Sequence, residues 1–100
     1  MEQLLFVYGT LKKKDVQKEV IGREINGEDD VLSGYTVSRV KIGNEIYPAL
    51  VREDRKRVHG TVLKLDEDEL GKIDDYETEV YRRVRVTLES GKSAWAYLLA

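Results

Sequence analysis

The sequence predicts an α+β domain with a mostly antiparallel, barrel-like sheet, and three observations carry that prediction. Short apolar segments with period-two alternation recur along the chain, as in Lys56–Leu65, where Val58, Gly60 and Val62 alternate with Arg57, His59 and Thr61. Glycine-containing turns, Ile42-Gly43-Asn44 and Glu89-Ser90-Gly91, punctuate these segments. One stretch, Asp66–Glu77, carries a complete helix-start signature.

Taken in order, Leu4–Tyr8 is apolar on both alternate sets (Leu4, Phe6, Tyr8 and Leu5, Val7), as a central strand should be. Gly9 ends it. Lys12–Ile21 reads as a short helix with Val16 and Val20 on one face and Gly22 as its C-terminal stop. Val31–Lys41 is a strand running into the Gly43 turn, and Ile46–Arg52 a second short strand whose Pro48 implies an edge or a bulge. Lys56–Leu65 is the next strand. In the following helix Asp66 caps, Glu69 closes the capping box, and Leu65 with Leu70 forms the hydrophobic staple. Val80–Leu88 and Ala94–Leu99 complete a set of about six strands and two helices in one domain over residues 1–100.

Composition excludes several classes of function. The 100 residues include 36% charged side chains with a net charge of −2, a balance unlike the basic excess of general nucleic-acid binders. With no cysteine and a single histidine, thiol catalysis, disulfides and Cys- or His-based metal sites are ruled out or disfavoured, so no metal and no cofactor is expected. The longest apolar run near the start is Leu4–Val7, so neither a leader nor a membrane span is read, and a cytoplasmic protein is expected. High charge, no cysteine, one proline and few Asn or Gln fit a thermophile source on composition alone.

Two places have the residue types for chemistry. At about 100° per residue, Leu70, Ile73 and Glu77 fall on nearly one line of the second helix, setting a carboxylate on the stripe that faces the core. Burial there would raise its pKa and suit it to general-base work near neutral pH; a helix ending near Tyr76 would instead leave Glu77 in solvent. At Tyr8-Gly9-Thr10-Leu11 a glycine able to take positive φ, with successive N–H groups, can form a concave nest for an anion, with Lys12, Lys13 and Lys14 following. The same residues also read as a plain strand-to-loop turn beside three solvated lysines. Tyr81 and Arg83 can bring a phenol and a guanidinium near Glu77, or simply begin an exposed strand. Asp66–Glu69 are accounted for by the helix macrodipole, Asp74 and Asp75 read as a solvated face, with a local bond from Asp74 to the loop after the helix as the lesser alternative, His59 reads as surface, and Trp95 and Tyr97 as core or pocket wall.

Read together, "VYGTL" (Val7–Leu11), "YPAL" (Tyr47–Leu50), "VHG" (Val58–Gly60), "IDDYE" (Ile73–Glu77), "YRR" (Tyr81–Arg83) and "AWAY" (Ala94–Tyr97) run in an order that resembles the γ-glutamylcyclotransferase-like family. The likeness is to its small AIG2-like and γ-glutamylamine cyclotransferase branch, from residue 4 to the C-terminus. The resemblance implies a small mixed β-barrel with helices packed on it. It also implies conversion of a γ-glutamyl amine or peptide into 5-oxoproline and free amine, with no cofactor. On it, Glu77 matches the catalytic acid/base, Tyr8, Gly9, Thr10 and Leu11 hold the γ-glutamyl group, and Tyr81 and Arg83 are pocket edge or support. The implied partner is a small-molecule γ-glutamyl substrate, with no nucleic acid and no membrane, and the protein a monomer or weak homo-oligomer. Three positions depart from the family pattern: the run Lys12-Lys13-Lys14-Asp15, Thr78 where glycine is common after the glutamate, and Gly60-Thr61 in place of Gly-Glu. A non-catalytic module binding a small carboxylate-bearing metabolite in the same pocket is the alternative reading.

Overall fold

In a computed structural model, which describes residues 2–100, the chain runs β1 (Gln3–Val7), α1 (Lys14–Ile21), β2 (Glu28–Ile42), β3 (Glu45–Leu65), α2 (Glu67–Glu77), β4 (Tyr81–Thr87) and β5 (Ser93–Leu99). Short 3-10 turns at Thr10–Lys12 and Thr78–Val80 follow β1 and α2. The sheet order is β2-β3-β1-β5-β4. All pairings are antiparallel except β1 with β5, so the sheet is mixed, as the family resemblance implies.

β1 is central because both of its faces are apolar. Leu5 and Val7 pack with Leu63, Leu65 and the buried faces of α1 and α2, while Phe6 joins Leu32, Val62, Val86 and Ala96 on the concave side. The sheet curls into a half-barrel around that second cluster. Its edges approach one another at one end, where Glu89 N–H donates to the Val31 carbonyl at 2.8 Å and Arg57 pairs with Glu89. At the other end the Tyr81 hydroxyl donates to the Pro48 carbonyl at 2.7 Å. Gly60 lets β1 and β3 meet, since a Cβ there would stand 2.5 Å from the Val7 carbonyl oxygen and 2.6 Å from the Phe6 ring.

The helix signals are realised as written. Asp66 accepts from Glu69 N–H at 2.7 Å and Asp66 N–H donates to Glu69 Oε1 at 3.0 Å, closing the capping box. Gly22 ends α1 at φ 82. Glu69 does more than the sequence suggested: the Arg23 guanidinium chelates it, which holds its carboxyl below the ordinary range. Gln17 is 1% exposed and ties two loops together, donating to the Leu11 carbonyl and accepting from Ile25 N–H.

The strand count differs from expectation. The two strands expected at Ile46–Arg52 and Lys56–Leu65 are one strand, β3, and among the described residues the sheet has five strands, not six. The charged residues 53–56 read as a break, but they form an irregularity in the ladder, where the register passes from Ser33↔Arg57 to Tyr35↔Arg52. Gly34 at φ 84 supplies the matching bend in β2. Pro48 lies within β3, on a stretch whose only strand partner is β2, so the missing N–H interrupts no second ladder.

Candidate functional site

A cavity of about 400 Å³ opens where β1 ends. One wall is residues 6–11, the end of β1 and the turn after it; the opposite wall is Tyr76, Glu77 and Thr78 at the end of α2. Tyr47 and Pro48 of β3, Tyr81 of β4 and Tyr97 of β5 complete it. Five of the six tyrosines thus face one cavity, whose lining includes a single ionisable carboxylate and no lysine, arginine or histidine.

That carboxylate is Glu77. It is half-buried on the stripe shared with the buried Leu70 and Ile73, so the helical spacing put it where expected. Burial strips its water and pushes its carboxyl from 4.5 up to about 7. The surrounding phenols are affected in the same direction. Tyr8 is pushed up by burial, then by Tyr81 and Glu77, and Tyr81 by burial and then Glu77, so both stay protonated hydrogen-bond donors.

The Tyr8–Leu11 segment forms the wall facing Glu77. The Tyr8 hydroxyl donates to the Tyr97 carbonyl at 2.9 Å, and Leu11 is buried. The Thr10 hydroxyl and the Tyr76 phenol share a hydrogen bond of 3.1 Å, linking the turn to α2. Gly9 has φ −126, so the positive φ expected of it is not used. A Cβ there would meet no protein atom within 4 Å, so packing within the chain does not itself require glycine at this position.

Arg83, also singled out from the sequence, is not in the lining. It forms an ion pair with Asp74 of α2 at 2.8 Å and lies 4.6 Å over the Trp95 ring, the position of a support rather than of a contact surface. Asp74 meets the loop after the helix through its carbonyl, which accepts from Thr78 N–H, while its side chain reaches Tyr97. Lys12 and Lys13 are exposed and Lys14 bonds Asn26; none lines this cavity. His59 is exposed, beside a smaller recess with Lys12, Asp29 and Asp30. Among the described residues no cluster of His, Cys, Asp and Glu could hold a metal, and no helix is long and apolar enough to cross a membrane.

Sequence reasoning gave no role to Tyr47, Tyr76 or Thr78. Tyr47 stands in the quoted "YPAL", and its ring packs edge-on against Tyr81 with centroids 6.3 Å apart. Tyr76 is 43% exposed at the cavity mouth. The enrichment in tyrosine was the available signal, but only the fold shows that five converge.

The model of a family described as "Gamma-glutamyl cyclotransferase, AIG2-like" matches residues 5–100. AIG2-like protein C of Arabidopsis thaliana is 34% identical over 83 residues, covering 82% of this chain and 47% of that protein. AIG2-like protein A of the same plant is 32% identical over 83 residues, covering 82% of this chain and 49% of its own length. The chain therefore spans about half the length of these curated relatives. Among solved structures, an Arabidopsis thaliana protein determined in solution superposes with a TM-score of 0.83 at 29% identity, covering 98% of this chain and 68% of that one. A structure titled gamma-glutamyl cyclotransferase gives a TM-score of 0.83 at 17% identity, covering 100% of this chain and 68% of that one, a likeness of fold.

Proposed function

Since the chain belongs to the γ-glutamyl cyclotransferase, AIG2-like family, we propose that it converts a γ-glutamyl amine or peptide into 5-oxoproline and the free amine, with Glu77 as acid/base. The observation that carries this reading is a half-buried carboxylate with no cation in its cavity, raised to about 7 and set opposite a glycine turn.

Such a substrate carries its own nucleophile, the α-amino group, five-membered-ring distance from the γ-carbonyl carbon. Ionised Glu77 takes a proton from the α-ammonium; the freed nitrogen attacks the γ-carbonyl, and the tetrahedral intermediate collapses with cleavage of the amide C–N bond. Ring closure removes two protons from the attacking nitrogen and the departing amine takes up two, so Glu77 relays them and ends as it began. A carboxyl near 7 suits both halves of this relay, being close to the working pH. Holding the substrate folded back on itself contributes roughly 7–11 kcal/mol in well-oriented intramolecular reactions. The Tyr8–Leu11 turn is the wall for the γ-glutamyl group, and the open space beside Gly9 lets the main chain approach it closely. The protonated phenols of Tyr8 and Tyr81 keep the cavity polar without adding charge.

The test is 5-oxoproline formation from a panel of γ-glutamyl dipeptides and γ-glutamyl-ε-lysine. Turnover that drops about 10²–10⁴-fold in Glu77→Gln, with substrate still bound, is the expected result. Full activity in that variant overturns the mechanism. Binding without turnover of any panel member overturns the reaction and leaves a binding module.

A further inference from the structure

Glu77 sits at a helix end under backbone strain that is fastened from outside at two points, the Thr10–Tyr76 hydrogen bond and a cluster of contacts at Asp74. Thr78, next along, has φ 62 and ψ −163, a conformation open to glycine and avoided by β-branched residues. Such a conformation persists only where its surroundings over-determine it. Three of the fastenings converge on Asp74, one helical turn before Glu77. Its carbonyl accepts from Thr78 N–H, and its Oδ1 accepts from the Tyr97 hydroxyl at 2.6 Å and pairs with the Arg83 guanidinium at 2.8 Å.

The two partners are themselves held. Arg83 and Tyr97 are directly opposed on β4 and β5, so their side chains leave the sheet on the same face, toward α2. Arg83 lies 4.6 Å over the Trp95 ring, whose Nε1–H donates to Gln3 of β1. Tyr97 also fastens the opposite wall, because its carbonyl accepts the Tyr8 hydroxyl. One residue of β5 therefore joins the helix that carries Glu77 to the turn that faces it.

We propose that Asp74, acting through Tyr97 and Arg83, is the positioning residue that holds Glu77 at its working distance from the Tyr8–Leu11 turn; the catalytic part of this rests on reading Glu77 as the acid/base. With the clamp released, the last turn of α2 unwinds toward a relaxed Thr78 and Glu77 swings into water. The groups around Glu77 are Tyr8 from the turn, Tyr47 from β3, Tyr81 from β4, Tyr97 from β5, and Tyr76 and Asp74 from its own helix. The cation of the clamp, Arg83 of β4, is paired with Asp74 and lies outside the cavity lining, so in Tyr97→Phe, which keeps both charges, the titration of Glu77 reports how much water reaches it.

The experiment is a carboxyl-¹³C NMR titration of Glu77 in the free 100-residue chain, with kcat and KM for the best panel substrate. Tyr97→Phe removes one fastening and leaves the Asp74 charge and the Tyr97 carbonyl in place, so it separates position from charge; Asp74→Asn is its companion. The expected result in Tyr97→Phe is a midpoint lowered by half a unit or more and an acidic limb of kcat displaced equally. The same variant should lose about tenfold or more in kcat with KM within threefold. A folded Tyr97→Phe with unmoved Glu77 titration overturns the proposal, even if its Tm falls, since that is the behaviour of a merely structural bond. If Asp74→Asn does not fold, Tyr97→Phe decides alone. If the wild type makes no 5-oxoproline, the proposed reaction fails while the titration still decides the clamp.

Discussion

In Glu77→Gln the side chain keeps its shape and its half-buried place but can no longer ionise. Burial moves the native carboxyl from 4.5 to about 7. Between those values the folded chain binds more protons here than the unfolded chain does, so stability falls as pH rises through that window and stays lowered above it. At ~1.4 kcal/mol per unit, the displacement from 4.5 to about 7 corresponds to ~3–4 kcal/mol. The carboxyl is open to cavity water on one side, and screening there reduces the figure to about 2 kcal/mol. Glu77→Gln should therefore stabilise the fold by about 2 kcal/mol at pH 8, or roughly 8–16 °C in Tm, and change it little at pH 4. Paired urea titrations of both proteins at the two pH values measure this. An equal gain at both, or none at pH 8, would refute the view that uncompensated burial sets this carboxyl. A gain in stability with loss of turnover would mark Glu77 as a group kept for chemistry at the expense of the fold.

Two further substitutions test the frame around the site. Thr78→Gly releases a conformation that costs about 1–3 kcal/mol and gives back about 0.4–1 kcal/mol in unfolded-chain entropy, so a net stabilisation of about 1 kcal/mol should appear as a higher Tm. A lower Tm would show that the φ of 62 at Thr78 is not strained. Gly60→Ala places a methyl group 2.6 Å from the Phe6 ring and 2.5 Å from the Val7 carbonyl oxygen, so the urea midpoint should fall by the equivalent of about 1–3 kcal/mol. An unchanged midpoint would mean that β1 and β3 separate at no cost.

Local chemistry made much of this legible in advance. α2 could be read because its start is specified within four residues by Asp66 and Glu69, and its buried stripe by 3.6-residue spacing. β1 was legible because both alternate sets are apolar. β3 was misdivided because residues 53–56 look like a connection in isolation, whereas their place is set by β2 across the ladder. The same boundary runs through the site. Glu77 and Tyr8–Leu11 could be singled out from spacing, turn chemistry and the ordered motifs of a known family. The Asp74–Tyr97–Arg83 clamp and the convergence of Tyr47, Tyr76 and Tyr81 depend on strand register and the packing angle of a helix, which no local pattern encodes.

β1 is flanked by β3 and β5, and Leu5 pairs with Trp95. The turn that forms one wall of the cavity opens directly off β1, while Tyr97, which steadies both walls, lies on β5. The β2–β3 hairpin and α2 join sequence neighbours and can order early; contacts closing nearly the whole chain come late. Until β5 has paired with β1, neither wall has its tie to Tyr97. Fraying of that single parallel pairing therefore loosens both walls of the cavity at once rather than one of them.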